Sequence, residues 1–368
     1  MAYLIALVAL LPLAAAAQTY RSSEHAFSIV KLVEGLEQPW SLAFLPDGRM
    51  LVTEKAGRLR IVANGKLDPK PVAGVPEVTV HGQGGLHEVA LHPEFAKNSL
   101  VYLAYAGTGS DGVGTELARG RFAGNRLEGV EVLFRQAPKG RAGQHFGGRI
   151  VFDRDGFVYL TLGDRGERDR AQRPDDHAGS LIRLHDDGRV PKDNPFVGRA
   201  GWKPEKFTLG NRNMQGAALH PPTGILWIHE HGPQGGDEVN VMRSGLNYGW
   251  PVITYGANYG LGTKIGEGTQ KPGMQQPLHY WVPSIAPSGM AFYVGDKFPR
   301  WKGDLFVGAL RDRMLVRLKL DGEKVVSEER LLKGALGRIR DVRVGPDGFI
   351  YLLTDEAQGV LARLEPLP

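Results

Sequence analysis

Two short segments of this chain carry the residue types that proton chemistry requires: Gln144-His145-Phe146-Gly147-Gly148-Arg149 and Leu162-Gly163-Asp164. They stand at the two ends of one expected β-hairpin, whose antiparallel return brings its far end back beside its start. His145 and Asp164 are therefore expected on one face, and a carboxylate beside an imidazole orients it as a general base. A lone histidine is more often structural. What raises His145 above that is its company: Asp164, and the arginines Arg212, Arg311, Arg338 and Arg340, each at an expected strand end. Guanidinium forks recognise carboxylate or phosphate, so four of them point to a polyanionic ligand, although ion pairing with Asp312 and Asp341 would explain any single one.

A second constellation is His229-Glu-His-Gly-Pro-Gln-Gly-Gly-Asp-Glu238. His229 and His231 alternate along a strand and should face opposite ways, which argues against a two-histidine zinc site. Glu238 and turn carbonyls are oxygen donors and suit calcium better. Gly107-Thr-Gly-Ser-Asp-Gly112 fits a dinucleotide-binding pattern, but Leu117 to Phe122 reads as another strand, so the helix that such a site needs is missing. The signatures of zinc proteases and serine hydrolases do not occur. Trp40, Tyr259 and Trp281 can line a flat ligand or serve as core aromatics.

The elements that must position these residues repeat. Leu42–Thr53, Ile150–Thr161 and Val342–Thr354 are apolar strand pairs around a Pro/Asp-Gly turn, a hairpin signal because Gly takes the positive φ of the turn. Val89–Tyr105, Ala217–His229 and Met290–Ala309 are looser copies. Six modules spaced by about one four-stranded blade predict an all-β, six-bladed propeller rather than a two-sheet sandwich. In a propeller, residues just before each module's first strand and just after its second project from one face. Gln83, His145, Arg212-Asn213, Ser284, Arg338 and Arg340 satisfy the first condition. Asp164, His231-Gly232-Pro233 and Arg311-Asp312 satisfy the second, so a central pocket is expected there.

Composition agrees. The 50 Gly and 24 Pro among 368 residues suit many short strands, and the absence of cysteine excludes disulfides and thiol chemistry. The net charge of +5 comes without a Lys/Arg-rich block, which excludes a nucleic-acid track. Residues 1–17 form an apolar run ending in four alanines and read as a cleaved secretory signal, leaving residues 18–368 as one propeller domain with no membrane span, periplasmic or secreted.

In combination the motifs resemble the soluble quinoprotein glucose/sorbosone dehydrogenases, and among them the aldose sugar dehydrogenases. Gly82-Gln-Gly-Gly85, Gln144-His145 with Leu162-Gly-Asp164, Gly210-Asn-Arg-Asn213, His231-Gly-Pro-Gln-Gly-Gly-Asp-Glu238, Asn247-Tyr-Gly-Trp-Pro251 and Arg338-Ile-Arg-Asp341 carry the resemblance. It implies pyrroloquinoline quinone (PQQ), a planar tricarboxylate, on the propeller axis. Gln83, His145, Arg212, Asn213, Tyr259, Ala309, Leu310, Arg311, Asp312, Arg338 and Arg340 would contact it. The carbonyls of Gly232 and Pro233 would hold a calcium ion that polarises the quinone, with Glu238 and Tyr248 at a second, structural calcium site. The implied reaction has His145 remove the anomeric hydroxyl proton of an aldose while hydride leaves C1 for the quinone. Asp164 would be the base's acidic neighbour and Arg212 would stabilise charge, with a soluble acceptor reoxidising the cofactor. Arg311 and His231 depart from the lysine and glutamine of glucose-specific relatives, and the chain is shorter in the loops that shape their sugar pocket and dimer contact. Broad aldose specificity and a monomer are expected. A metal-dependent propeller lactonase would need acidic or Asn ligands where the axis carries arginines, and a non-catalytic sugar- or protein-binding propeller would lack a working base.

Overall fold

The three clearest modules fold as antiparallel hairpins because their apolar residues alternate in register across a turn that an aspartate of the module closes. In the first copy Leu42 pairs with Val52 and Phe44 with Met50, while Asp47 Oδ1 accepts from Arg49 N at 3.0 Å. Asp347 holds the last copy in the same way, accepting from Phe349 N at 3.3 Å. The computed structural model describes residues 18–368, so the expected leader over 1–17 lies outside the described residues.

The six hairpins are the first two strands of six blades, as expected for the propeller. Blade 1 contains Pro39–Phe44, Met50–Glu54, Arg58–Ala63 and Lys66–Leu67, and blade 2 contains Leu86–Leu91, Leu100–Gly109, Gly112–Ala123 and Arg126–Arg135. Blade 3 contains Ile150–Phe152, Val158–Thr161 and Leu181–Leu184. Its fourth position is an irregular stretch around Pro204, bridged from Lys206 to Ile182, with Phe207 N donating to Leu181 O at 2.7 Å. A proline, which cannot donate to a ladder, belongs on such an outer edge. Blade 4 contains Met214–Leu219, Leu226–Glu230, Asp237–Val241 and His279–Trp281, and blade 5 contains Pro287–Phe292, Leu305–Ala309, Met314–Asp321 and Lys324–Leu331.

Blade 6 closes the ring. Its Ile339–Val344, Ile350–Thr354 and Gly359–Pro366 come from the C-terminal end, and the long N-terminal strand Ala26–Leu36 pairs with the last of them. Thr19–Arg21 adds a short fifth strand outside. The first strands of successive blades pack on one another around the axis, the sixth returning to the first. Between neighbouring blades lie separate apolar clusters, such as Leu51, Ile61, Leu86 and Val101 between blades 1 and 2, and Phe306, Leu315, Val342 and Leu352 between 5 and 6. This blade-on-blade burial fixes the ring, so residues at blade ends inherit a fixed geometry. The Gly107–Gly112 motif is the tip of a strand hairpin in blade 2, and no helix follows it.

Across the axis runs a buried ionic layer centred on Arg149, which is 2% exposed. Its Nη1 donates to Glu88 Oε2 at 2.8 Å and Asp341 Oδ1 at 2.9 Å. Its Nε donates to Gln215 O at 2.7 Å, its Nη2 to Arg340 O at 3.2 Å, and its guanidinium lies 4.0 Å from the centre of the Trp40 ring. Arg343 also pairs with both Glu88 and Asp341. One side chain of blade 3 thus ties together blades 1, 2, 4 and 6. The layer divides the axis into a polar cavity on one side and an apolar one, lined by Leu42, Val89, Ile150, Ala217 and Met290, on the other.

Candidate active site

His145 precedes the first strand of blade 3 and adopts a left-handed backbone with φ of 55°, a conformation that costs a non-glycine residue about 1 kcal/mol. Gly163, just past the second strand, permits it: a Cβ there would sit 2.1 Å from the His145 carbonyl oxygen. The close approach brings His145 Nδ1 to 2.6 Å from Asp164 Oδ1. Asp164 is 1% exposed and meets only donors, with Gly166 N at 2.7 Å on Oδ1 and Trp250 Nε1 at 2.8 Å on Oδ2. Such a carboxylate requires the proton on His145 Nδ1, which leaves the Nε2 lone pair free to accept a proton. Gln83 Oε1 accepts from His145 N at 2.8 Å and completes the clamp.

Burial holds His145 below the ordinary histidine pKa, outweighing the Asp164 hydrogen bond that raises it, and the Arg212 charge adds to the lowering. Burial works to raise Asp164, but its bond from His145 and the nearby Arg212 charge keep it below the usual carboxylate range. At neutral pH the pair is therefore a neutral imidazole on an ionised carboxylate, the state a general base needs.

Beside it, on the axis, opens a polar cavity of about 390 Å³. Blade 1 lines it with Gln38, Trp40 and Lys55; later blades contribute Gln83, His87, Asn213, His231, Leu310 and the Arg338–Arg340–Asp355 group. The amide oxygens of Gln83 and Asn213 are engaged, by His145 N and by Gly147 N with Gln215 Nε2 respectively. Their NH2 groups have no partner among the described residues and remain as donors. His231 donates Nε2–H to Pro287 O at 2.6 Å, and burial lowers its pKa to about 3, so it stays neutral. This donor-rich wall fits a planar polycarboxylate.

Several sequence expectations meet in this pocket and others do not. Gln83, Asn213, Leu310, Arg338 and Arg340 line it, whereas His145 and Arg212 do not form its wall, Arg212 lining the smaller cavity by Glu230 and Glu238. The two arginines, however, pair with Asp355 rather than with Asp312 or Asp341: Oδ2 accepts from Arg338 Nη2 at 2.8 Å and from Arg340 Nη2 at 2.9 Å. Arg311 is exposed and donates to Ser284 O, Ala309 is buried in the core between blades 4 and 5, and Asp312 follows in the turn outside the cavity wall. Tyr259 is 69% exposed on the loop after blade 4's third strand and does not reach the pocket. Trp281 is a core residue.

The oxygen-donor expectations divide in the same way. Asp237 organises the 231–233 turn, accepting from Gly232 N at 2.9 Å, Ile285 N at 2.8 Å and Ser284 Oγ. The Gly232 carbonyl accepts Arg212 Nη1 at 2.8 Å, so a cation at Gly232 and Pro233 fits only with that guanidinium turned away. A small cavity nearby is lined by Arg212, Glu230, Glu238, Gly232, Thr254 and Tyr248 among others. Burial pushes both carboxyls up, to about 7 for Glu230 and about 8 for Glu238, where the Glu230 charge adds to the rise. Two buried carboxylates that share one guanidinium, Arg212, retain an excess of negative charge when ionised and fit a hard dication there. Tyr248 gives its hydroxyl to Val241 O at 2.7 Å, which leaves its backbone and ring for the cavity. His229 is buried, its ring nitrogens without a partner among the described residues, and no cluster of three His, Cys, Asp or Glu suited to a metal occurs among them.

Trp40, expected to line a flat ligand or serve as a core aromatic, lines the cavity, whereas sequence reading missed Gln38, Lys55, His87, Gln215, Glu230 and Asp355. The blade-end rule identifies three of them. Gln38 precedes blade 1's first strand, and Lys55 and Asp355 follow the second strands of blades 1 and 6.

The Glucose / Sorbosone dehydrogenase family model matches residues 36–363. The chain is 44% identical over 363 residues to the aldose sugar dehydrogenase YliI of Escherichia coli, covering 97% of this chain and 98% of that protein. It is similar to a crystal structure of a glucose dehydrogenase with a TM-score of 0.89 at 51% identity, over 91% of this chain and 99% of the other. It is also similar to the PQQ-bound form of an aldose sugar dehydrogenase from Streptomyces coelicolor, with a TM-score of 0.75 at 27% identity over 92% and 98% of the two chains.

Proposed function

The chain belongs to the glucose/sorbosone dehydrogenase family, and we propose that it is a PQQ-dependent aldose sugar dehydrogenase that oxidises the anomeric carbon to the lactone. The observation that carries this reading is the neutral, half-buried His145, held by Asp164 with Nε2 free, beside an axial cavity walled by donors. The PQQ-bound relative supports the choice of cofactor.

Gln83, Asn213, Arg338 and Arg340 would hold the cofactor through its carboxylates and carbonyls. When bound, it supplies the two-electron acceptor for the hydride that leaves C1. His145 Nε2 takes the proton of the C1 hydroxyl as that C–H bond breaks, and Asp164 stabilises the imidazolium that results. Arg212 places a fixed positive charge next to His145, and its Nε has no partner among the described residues. Calcium is assigned first to the Glu230–Glu238 cavity, where it would neutralise two buried carboxylates, and to the Gly232 and Pro233 carbonyls only in a form with Arg212 displaced.

Export to the periplasm or beyond follows from the leader read in residues 1–17, and a monomer from the short loops. No helix among the described residues is long and apolar enough to cross a membrane. Purified apoprotein given PQQ and calcium should reduce a redox dye with several aldoses. His145→Ala should bind the quinone but lose turnover by at least about 100-fold, the usual worth of a general base. Full turnover by that variant, or lactone hydrolysis without quinone, would overturn the reading.

A further inference from the structure

Among the cationic side chains that line the axial cavity, one differs from the others. Arg338 and Arg340 both lean on the Asp355 carboxylate, so part of their charge is already answered. Lys55 also lines the cavity, and its ammonium has no ion pair or hydrogen bond among the described residues. It occupies the first position after blade 1's second strand, the same place in the repeat from which Asp355 enters the cavity in blade 6. Its backbone is clamped, with Lys55 N donating to Gln38 O at 3.1 Å and Lys55 O accepting from Leu86 N at 3.0 Å.

The neighbouring Gly82–Gly85 segment is built around it. A Cβ on Gly85 would stand 2.3 Å from Lys55 O and 2.6 Å from Lys55 Cγ, so only glycine leaves room for this backbone and for the lysine stem beside it. The same segment presents Gln83 to the cavity. Lys55, Arg338 and Arg340 against Asp355 leave the cavity wall with an excess of positive charge, and Lys55 is its uncompensated part. A compact ammonium with three donors takes a carboxylate oxygen wherever it is offered one.

We propose that Lys55 is a carboxylate-binding residue of the axial pocket, holding one carboxylate of the tricarboxylate quinone on the blade 1 and blade 2 side, next to Gln83. This rests on the cofactor reading above and adds a ligand that neither the motifs nor the arginine set supplies.

The test is equilibrium binding of PQQ to calcium-loaded apoprotein, followed by quenching of tryptophan fluorescence, with PQQ trimethyl ester as the uncharged probe. Lys55→Met should weaken PQQ binding by roughly 10- to 100-fold, the scale of one charge-assisted hydrogen bond. It should leave ester binding within about 3-fold of the unaltered protein's, which is inside the ordinary scatter of a surface change. Lys55→Arg, which keeps the charge, should bind PQQ more tightly than Lys55→Met. Equal PQQ affinity in Lys55→Met and the unaltered protein would overturn the assignment. So would equal loss for PQQ and ester, because Lys55 would then shape the cavity rather than bind charge. An unaltered protein that binds neither form overturns the cofactor reading itself, and this inference with it.

Discussion

Replacing Asp164 by asparagine exchanges one carboxylate oxygen for an NH2 group and tests how the base is held. The carboxylate accepts three hydrogen bonds, from His145 Nδ1, Gly166 N and Trp250 Nε1. An amide has one accepting oxygen and one donating NH2, so no orientation of the substituted side chain can satisfy all three donors. With its oxygen toward His145 and Gly166, the NH2 opposes the Trp250 N–H, and a buried donor left unpaired costs about 1–3 kcal/mol. With its oxygen toward Trp250, the NH2 donates to His145 Nδ1, which moves the imidazole proton to Nε2 and removes the base. Because the two orientations cost similar amounts, both will be populated. In either, the negative charge that would stabilise the imidazolium is gone, a further loss of about 1.5–3 kcal/mol. The unpaired donor weighs on ground and transition states alike, but the lost charge alone slows turnover by about 10- to 150-fold, and the displaced proton removes more. Turnover should therefore fall by about 100-fold or more, toward the roughly 10,000-fold seen when a histidine base elsewhere loses its orienting aspartate. KM for the aldose should change little, since Asp164 is buried beneath His145. Dye reduction by Asp164→Asn protein reconstituted with PQQ and calcium measures this. A kcat within about 3-fold of the unaltered enzyme, where two orders of magnitude are expected, would refute the argument.

Three more outcomes follow from the site and its supports. Since His145 sits below the ordinary histidine pKa, the acid limb of kcat/KM should have its midpoint below pH 6.5; a midpoint at or above pH 6.5 contradicts this. His87 and His231 are held neutral by burial at about 3. Their unfolded forms take up protons first, so they contribute stability that is present above pH 6.5 and lost as pH falls toward 3, measurable by denaturant titration across that range. Arg149→Met should destabilise the propeller by about 3–5 kcal/mol, because it leaves Glu88 and Asp341 buried with Arg343 as their remaining cation; an unchanged urea midpoint would show that the axial layer is not a structural tie. Calcium at a hundredfold excess over its Kd should raise Tm by about 4 °C. The rise should be larger at pH 8 than at pH 6, since Glu230 and Glu238 must lose protons to bind it, and Glu238→Gln should abolish it.

Much of the architecture was legible from residue order alone. An Asp-Gly turn between alternating apolar residues has few conformations available, so six such modules define six hairpins before any packing is known. The rule that residues flanking a module share one face placed His145 with Asp164, and the pair is joined at 2.6 Å. It also placed Gln83, Asn213, His231, Arg338 and Arg340 around one cavity. Lys55 and Asp355 obey the same rule and were overlooked because neither belongs to a recognisable motif.

What the sequence by itself determined, then, is the set of elements and the chemical types gathered at one end of the ring, because both depend on local turn chemistry and strand period. The tertiary structure alone decided which charges answer which. Arg338 and Arg340 meet Asp355 because blade 6's hairpin brings its two ends together, whereas Asp341 points through the ring to Arg149. The Gly232 carbonyl meets Arg212, and Tyr259 stands in solvent although a cofactor contact was expected of it. These pairings depend on side-chain reach, carbonyl direction and competition within a few ångströms, quantities that spacing along a chain does not contain.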